Sequence, residues 1–176
     1  MCGIVCAFNI KSNSDAVRSN VLKMAKKVRH RGPDWSGVYS NHNAVLAHER
    51  LAIVDPTSGK QPIISEDGCK VIAVNGEIYN HLEIRSEIEK NNQNIYWRGH
   101  SDTETILRAF ETFGIENSIK KFIGMFAFSL WDKKNNMSSG SNKGSIIART
   151  FADDSNIHTT FRVQNFIGNS RLNLIK

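Results

Sequence analysis

Hydrophobic positions in the first three quarters of the chain alternate between strand spacing and helix spacing. An apolar, β-rich run covers Gly3 to Ile10. The apolar residues that follow recur at helical spacing: Val17, Val21, Met24 and Val28. This spacing predicts an amphipathic helix with Ser14 or Asp15 as its N-cap. We expect the apolar face of this helix to pack on a neighbouring layer.

Short apolar runs bounded by turn-forming residues predict the remaining elements. Four runs have the length and composition of strands: Ala44 to His48, Leu51 to Val54, Val71 to Val74 and Met125 to Trp131. The last of these is apolar at successive positions, which predicts a strand buried on both faces. Helices are predicted at Leu82 to Lys90 and at Thr103 to Phe113, the second ending at Gly114 as a C-cap.

The order of these elements bears on the fold class and on the domain boundaries. Strands and helices alternate without the regular spacing of a doubly wound fold, so the sequence predicts an α+β layered sandwich. From Met137 to Lys176 serines and asparagines are frequent and no period persists. The run Lys133 to Asn136 leading into Met137 to Lys143 is typical of a flexible joint. We therefore predict one domain over residues 1–136 and a divergent, weakly structured tail over residues 137–176.

Composition narrows the class of protein and its partners. The chain has 176 residues and is 40% hydrophobic, which is typical of one globular domain. Its formal charge of +6 comes from basic residues interleaved with acidic ones, which argues against a nucleic-acid partner. The chain has neither a membrane-length apolar run nor a signal-like N-terminus. We therefore expect a cytoplasmic protein without a membrane partner.

The cysteines point to one candidate nucleophile. Cys2, Cys6 and Cys69 make an odd count without CxxC spacing, which argues against a disulfide framework and against a zinc site. Removal of Met1 would leave Cys2 at the N-terminus with a thiol and a free α-amine. Neither group is locked in one protonation state near neutral pH, and an N-terminal amine can act as the base for its own side chain. The alternative is that Cys2 is an ordinary residue.

Polar motifs interrupt the strands and supply candidate partners for Cys2. The motifs are RHRGPDWSG (Arg29 to Gly37), LAHERLAIVD (Leu46 to Asp55), VNGEIYNH (Val74 to His81) and SDTE (Ser101 to Glu104). Each has a structural alternative. Arg29 and Arg31 could belong to a solvated turn beside Gly32 and Pro33.

Three of these motifs carry groups that suit the recognition of a small polar substrate. Arg50 follows a strand, where a guanidinium could clamp a carboxylate or form a structural ion pair. Asn75 and Gly76 end a strand, where an amide side chain and a backbone N–H could form an oxyanion hole, although an Asn-Gly hairpin turn is the commoner cause of this dipeptide. Asp102 could bind an ammonium group, but the sequence alone favours a helix cap.

The ordered motifs, together with CGIVCAF and GMFAFSLWD, resemble a known family. From Cys2 to about Asp132 the chain resembles the glutaminase domain of glutamine-hydrolysing asparagine synthetases, which are class II glutamine amidotransferases. The resemblance implies the αββα sandwich of N-terminal-nucleophile hydrolases, with glutamine as the substrate. Because residues after about Asn136 do not resemble the closing strands of that family, we expect the sandwich to be incomplete at its C-terminal end.

The resemblance also implies roles for individual residues. Cys2 would attack the side-chain amide of glutamine and form a γ-glutamyl thioester, while Asn75 and Gly76 would stabilise the oxyanion. Arg50 would hold the α-carboxylate and Asp102 the α-ammonium. Other residues would line the glutamine pocket: Leu51, Ala52, Ile53, Val54 and Glu77.

What the chain lacks relative to that family limits the expected activity. No Ser-Gly-Gly-x-Asp motif and no ATP-binding synthetase domain follow, so ATP and Mg would be needed only by that absent domain and the glutaminase step needs no cofactor. Three hypotheses stay open. The chain is an active glutaminase, a catalytically inactive remnant, or an ammonia-donor subunit that docks on a separate amide-forming synthetase.

Overall fold

The computed structural model describes residues 2–11, 13–53, 59–92, 95–143 and 171–175. The strands are β1 (Gly3–Phe8), β2 (Trp35–Ser40), β3 (Ala44–Arg50), β4 (Ile63–Ile64), β5 (Lys70–Ile78), β6 (Gly124–Asp132), β7 (Met137–Lys143) and β8 (Arg171–Ile175). The helices are α1 (Ser14–Val28), α2 (His81–Asn91), α3 (Asp102–Phe113) and α4 (Ile115–Lys121). A single 3₁₀ turn, Arg29–Arg31, follows α1.

The strands form two antiparallel sheets. The first sheet has the order β1-β3-β2, and the second has the order β4-β5-β6-β7-β8. In the first sheet Gly3 pairs with Glu49, and Trp35 pairs with Arg50. The start of β1, the end of β3 and the start of β2 therefore lie at one end of this sheet.

Side chains of β3 alternate between two apolar layers because successive residues of a strand point to opposite faces. Val45 and Ala47 pack against Val21 and Ala25 of α1. On the opposite face, Ala44 and Leu46, together with Phe8 of β1, pack against Val71, Ala73 and Trp131 of the second sheet. The rings of Phe8 and Trp131 stack with centroids 5.8 Å apart. The first sheet is thus enclosed between α1 and the second sheet.

Strand β5 alternates in the same way. Val71 and Ala73 face the first sheet, whereas Ile72 and Val74 face a larger core that includes Ile106 of α3. Four phenylalanines complete this outer core: Phe110, Phe122, Phe126 and Phe128. The layers are therefore α1, first sheet, second sheet, and α2 to α4. The predicted αββα sandwich of α+β class is confirmed.

Several predicted elements need correction. Leu51 to Ile53 do not form a strand, since β3 ends at Arg50, and Val54 lies outside the described residues. Strands β2 and β4 and helix α4 were not predicted. Strand β2 has the sequence WSGVYS and is exposed or half-buried along its length, so it lacks the apolar alternation of a strand with one buried face.

The prediction of a flexible joint was wrong for Met137 to Lys143, whereas Lys133 to Asn136 form the turn between β6 and β7. Met137 to Lys143 form β7 and pair with β6, for example Ser138 with Trp131. Residues Arg171–Ile175 form β8 beside β7, and residues 144–170 lie outside the described part of the chain. Ser138 and Ser139 are buried, so this polar segment owes its strand to backbone pairing rather than to an apolar pattern.

The helix ends confirm one predicted cap and correct another. Gly114 ends α3 with a φ of 76°, which is the left-handed region that favours glycine. The cap of α1 is Asn13 rather than Ser14 or Asp15. Its side chain accepts a hydrogen bond from the backbone of Ala16 over 3.1 Å, and its φ of 39° suits asparagine. In the described part of the chain, no helix has both the length and the apolar character needed to cross a membrane.

Candidate active site

Cys2 is held at the end of the first sheet by contacts from two directions. The backbone N–H of Leu51 donates to Cys2 Sγ over 3.4 Å, and the thiol lies 3.9 Å from the carbonyl oxygen of Leu51. On the other side, Arg31 Nε donates to the carbonyl oxygen of Cys2 over 3.1 Å. An N–H directed at sulfur stabilises negative charge there. The backbone of Leu51 therefore holds the side chain in place, with an N–H donor at its sulfur.

Asp34 braces the segment that carries the candidate carboxylate clamp. Arg50 is the last residue of β3 and is buried. The backbone N–H of Asp34 donates to the carbonyl oxygen of Arg50 over 3.0 Å. Its carboxylate accepts from the backbone N–H of Ala52 over 2.8 Å. Ile53, two residues after Leu51, is 75% exposed. The RGPD motif thus shapes the segment that contacts Cys2.

Arg29, two residues before Arg31, makes a separate set of contacts. Arg29 donates to Ser36 Oγ over 2.8 Å, and Ser36 Oγ donates to the buried Glu49 over 2.5 Å. Arg29 also lies 3.9 Å from the Glu49 carboxylate. The two arginines thus lie in a turn, with Arg29 54% exposed, and they also bond Ser36 and the carbonyl oxygen of Cys2.

Asn75 and Gly76 lie inside β5 and do not form a hairpin turn, and the strand does not end there but continues to Ile78. Asn75 is buried, and its side-chain oxygen has no hydrogen-bond partner among the described residues. Gly76 has a φ of 136°, and a Cβ on it would lie 2.0 Å from the carbonyl oxygen of Met125. Only glycine fits this position. The Asn75-Gly76 dipeptide is therefore part of the sheet, and the side-chain oxygen of Asn75 is left without a hydrogen-bond partner in the described part of the chain.

One edge of β5 is covered by side chains instead of by a strand. Strand β4 pairs only with Ile72 and Val71. Beyond it, Val74 receives a hydrogen bond on its carbonyl oxygen from His48 Nε2 over 2.8 Å. The N–H of Val74 donates to Gln61 Oε1 over 2.6 Å. Four residues after Val74 along β5, the N–H of Ile78 donates to Asp102 Oδ2 over 2.8 Å. Gly76 lies between these two covered positions.

Asp102 is not the cap that the sequence favoured. The N-cap of α3 is Ser101, whose Oγ accepts from the N–H of Thr103 over 3.3 Å. Asp102 is the first residue of the helix and directs its carboxylate to Ile78. Burial raises the pKa of Asp102 above its ordinary value, partly offset by the Ile78 hydrogen bond. A buried carboxylate of this kind gains stability from a cationic partner.

The predicted residues fall into two groups, one on each sheet. Cys2, Arg50 and Leu51 lie together at the end of the first sheet. The second group is on β5 and α3: Asn75, Gly76, Glu77 and Asp102. The bond from His48 to Val74 joins the sheets next to both groups, because His48 precedes Arg50 by two residues and Val74 precedes Asn75. Val54 lies outside the described residues.

The remaining chemistry in the described residues is limited. Burial raises the pKa of the Cys6 thiol to about 12, which keeps this second cysteine protonated and unreactive. No group of three or more metal-ligating side chains occurs in this part of the chain. A cleft of about 290 Å³ lies next to α3 and is lined by residues that include Lys60, Ile63, Arg98 and Ser101. None of its lining residues is a candidate site residue.

Comparison with known proteins agrees with this geometry. The family model described as glutamine amidotransferase domain matches residues 1–139. The chain belongs to this family. The amidotransferase domain therefore covers every candidate residue, and glutamine is the substrate that the family implies.

Similar proteins include asparagine synthetase [glutamine-hydrolyzing] 1 of Arabidopsis thaliana, with 44% identity over 136 residues, 77% of this chain and 22% of the relative. Asparagine synthetase B [glutamine-hydrolyzing] of Escherichia coli (strain K12) is also 44% identical, over 76% of this chain and 24% of its own length. The amidotransferase domain thus matches the glutaminase portion of these relatives and spans less than a quarter of their length.

A solved structure shows the same fold. Glutamine phosphoribosylpyrophosphate amidotransferase from B. subtilis superposes with a TM-score of 0.59 at 16% identity, covering 81% of this chain and 36% of that one. At this identity the likeness concerns the fold alone. The two-sheet sandwich is thus a fold that a glutamine amidotransferase also has.

Some site residues were not found by sequence reasoning. Asp34, His48 and Gln61 hold the segments that carry the candidate residues. A signal existed for His48, because it is a polar residue inside the alternating strand AHER. Gln61 follows the turn-forming PTSGK segment and carries no such signal.

Proposed function

We propose that the chain hydrolyses glutamine to glutamate and ammonia with Cys2 as the nucleophile. After removal of Met1, the free α-amine of Cys2 takes the thiol proton and the sulfur attacks the side-chain carbonyl carbon of glutamine. The tetrahedral intermediate collapses to a γ-glutamyl thioester, and the nitrogen leaves as ammonia with the transferred proton. Water then cleaves the thioester and releases glutamate. The observation that carries this proposal is the Leu51 N–H bonded to Cys2 Sγ beside the buried Arg50.

The two ends of the substrate suit the two groups of site residues. Arg50 holds the α-carboxylate of glutamine with its guanidinium, and Asp102 holds the α-ammonium. The raised pKa of the buried Asp102 supports this role, since an ammonium partner offsets the cost of burying the charge. Residues beside them would form the pocket wall: Leu51, Ala52, Ile53 and Glu77. Opposite charges at two fixed points aim the amide at Cys2.

Asn75 and Gly76 supply the oxyanion hole in this proposal. The side-chain N–H of the buried Asn75 would donate to the oxyanion. The backbone N–H of Gly76 would be the second donor, since it lies between Val74 and Ile78, whose own N–H groups are bonded to Gln61 and Asp102. Donors fixed in this way cost no reorganisation when charge develops on the carbonyl oxygen.

We propose asparagine formation as the destination of the ammonia, in the cytoplasm. The relatives are named as glutamine-hydrolysing asparagine synthetases, and the chain spans about a fifth of their length. A synthetase domain or separate subunit would use ATP and Mg to activate aspartate, whereas the glutaminase step itself requires no cofactor. Apolar residues exposed next to β5 offer a docking surface for it: Tyr79, Leu82, Ile123 and Met125. Tyr79 and Leu82 are 56% and 67% exposed, which is costly unless a partner covers them.

Intact-mass measurement after incubation with 6-diazo-5-oxo-norleucine, a reactive glutamine analogue, tests the nucleophile. We expect loss of Met1 and one covalent adduct in the wild-type chain and in Cys6→Ala, together with glutamate release from glutamine in both. Cys2→Ala should give neither adduct nor glutamate. An unmodified wild-type chain would favour an inactive remnant, and glutamate release that survives Cys2→Ala would refute the proposed chemistry.

A further inference from the structure

Val74 is gripped at both of its backbone groups by side chains from outside its own sheet. His48 Nε2 donates to its carbonyl oxygen over 2.8 Å, and Gln61 Oε1 accepts from its N–H over 2.6 Å. His48 is fully buried and Gln61 is 6% exposed. Because a carbonyl accepts, His48 carries its proton on Nε2. The grip therefore fixes the peptide that leads directly into Asn75.

Both gripping residues are themselves anchored to the first sheet. His48 belongs to β3 and pairs with Ile4 on one side and Gly37 on the other. Gln61 packs its backbone against β2, where a Cβ on Gly37 would lie only 1.8 Å from the Gln61 carbonyl oxygen. The position of Val74 is therefore fixed relative to the first sheet, which holds Cys2 and Arg50.

We propose that His48 and Gln61 are positioning residues that set Asn75 and Gly76 in register with Cys2. This inference rests on the proposed glutamine hydrolysis. Neither residue contacts the reacting atoms. A misplacement of about 1 Å in a catalytic group can cost about a hundredfold in rate. Loss of the hydrogen bonds from His48 and Gln61 to Val74 should therefore lower kcat. It should change the affinity for glutamine less, because that affinity depends on Arg50 and Asp102.

The histidine is suited to a constant grip across physiological pH. Burial lowers the pKa of His48 to about 4, opposed by the hydrogen bond to Val74 and reinforced by the charge of Arg50. The ring is therefore neutral near pH 7 and keeps a single donor toward Val74.

Kinetics of four variants of the full chain test the inference. Gln in place of His48 keeps an N–H donor at a similar reach, whereas Met fills the space without a donor. We expect His48→Met to lower kcat for glutamine between about tenfold and a hundredfold with KM changed by less than about twofold. His48→Gln should restore most of kcat. Gln61→Met should behave like His48→Met, and Leu46→Ala, a buried change on the same face of β3, should lower Tm without changing kcat.

Equal kcat in His48→Met and His48→Gln would overturn the inference. So would a loss of kcat in His48→Met that only matches the fall in the folded fraction, as in Leu46→Ala. Amide hydrogen exchange separates this failure from failure of the proposed function. Should the wild type release no glutamate, His48→Met should still speed exchange at Asn75 and Gly76 selectively while His48→Gln does not, and unchanged exchange at these amides would refute the positioning role.

Discussion

The carboxylate of Asp102 accepts a hydrogen bond from the backbone N–H of Ile78, with 2.8 Å between Oδ2 and N. This bond links the first turn of α3 to the covered edge of β5. It uses part of the accepting capacity of the carboxylate and leaves other lone pairs for a substrate. The geometry separates the structural role of Asp102 from its proposed binding role, so each can be tested.

Asp102→Asn should weaken glutamine binding while preserving the bond to Ile78, because the amide oxygen still accepts. A hydrogen bond to a charged group contributes about 1.5 to 3 kcal/mol, so we expect KM to rise about tenfold to a hundredfold. Steady-state kinetics with glutamine measure this change. The matched control is 4-carbamoylbutanoate, which is glutamine without its α-amine. The same loss with both substrates would contradict the assignment of Asp102 to the ammonium.

The pH dependence of KM should report the buried carboxylate. Burial raises the pKa of Asp102, and only the ionised form binds an ammonium. As pH falls, protonation of Asp102 should therefore raise KM, starting at higher pH than an exposed aspartate would give. The comparison is the KM profile of Asp102→Asn, which should lack this limb. A wild-type profile parallel to that of the variant would count against the prediction.

Asn75→Ala should act on turnover. Removal of one oxyanion-hole donor typically lowers kcat by about a hundredfold to a thousandfold, with little change in KM. Asn80→Ala is a matched control, since Asn80 holds Ile123 and Lys121 through its side chain and has no place in the proposed chemistry. It should lower Tm and leave kcat unchanged. Similar kcat values for the two variants would argue against an oxyanion role for Asn75.

Gly76→Ala should destabilise the fold far more than Gly68→Ala. Both glycines have positive φ, of 136° and 68°, but only Gly76 lacks space for a Cβ, which would meet Met125 at 2.0 Å. We expect losses in the free energy of unfolding of about 1 kcal/mol at Gly68 and at least about 3 kcal/mol at Gly76. Urea denaturation measures both. Equal losses would mean that β5 and β6 can separate locally.

The free energy of unfolding should fall in mild acid because of His48. Its folded pKa is about 4, below the ordinary value near 6.5, so the unfolded chain binds the proton first as pH falls. This group alone should cost about 2 kcal/mol between pH 7 and pH 5. His48→Gln removes the titration, so its stability should decline less over that interval by about this amount. Parallel declines would contradict the neutral, buried ring.

Periodic and ordered features of the sequence predicted the layers and the main motifs. The apolar spacing of α1 and α3 follows from burial on one face, which local sequence records directly. Contacts between distant segments leave no such trace. Nothing near Gln61 indicates that its side chain meets Val74, and the hairpin interpretation of Asn75 failed because β6 supplies the pairing that keeps it in a strand.

Polar composition misled the prediction in two other places. Strands β2 and β7 each contain serines and a glycine. Backbone hydrogen bonds hold them in the sheets, so their side-chain types do not reveal the pairing. Asp102 was assigned to a cap because aspartate is common there, yet the preceding Ser101 takes that role and frees the carboxylate. Local propensity names the residue types at a helix start but not which of two neighbours caps it.

The covered edge of β5 also bears on self-association. An unpaired strand edge is a template on which another chain can add a strand and aggregate. Here Gln61 and His48 occupy both backbone groups of Val74, and Asp102 occupies the N–H of Ile78. An incoming strand would have to displace three buried side chains before pairing. The contacts that shape a substrate pocket therefore also protect this sheet from edge-to-edge aggregation.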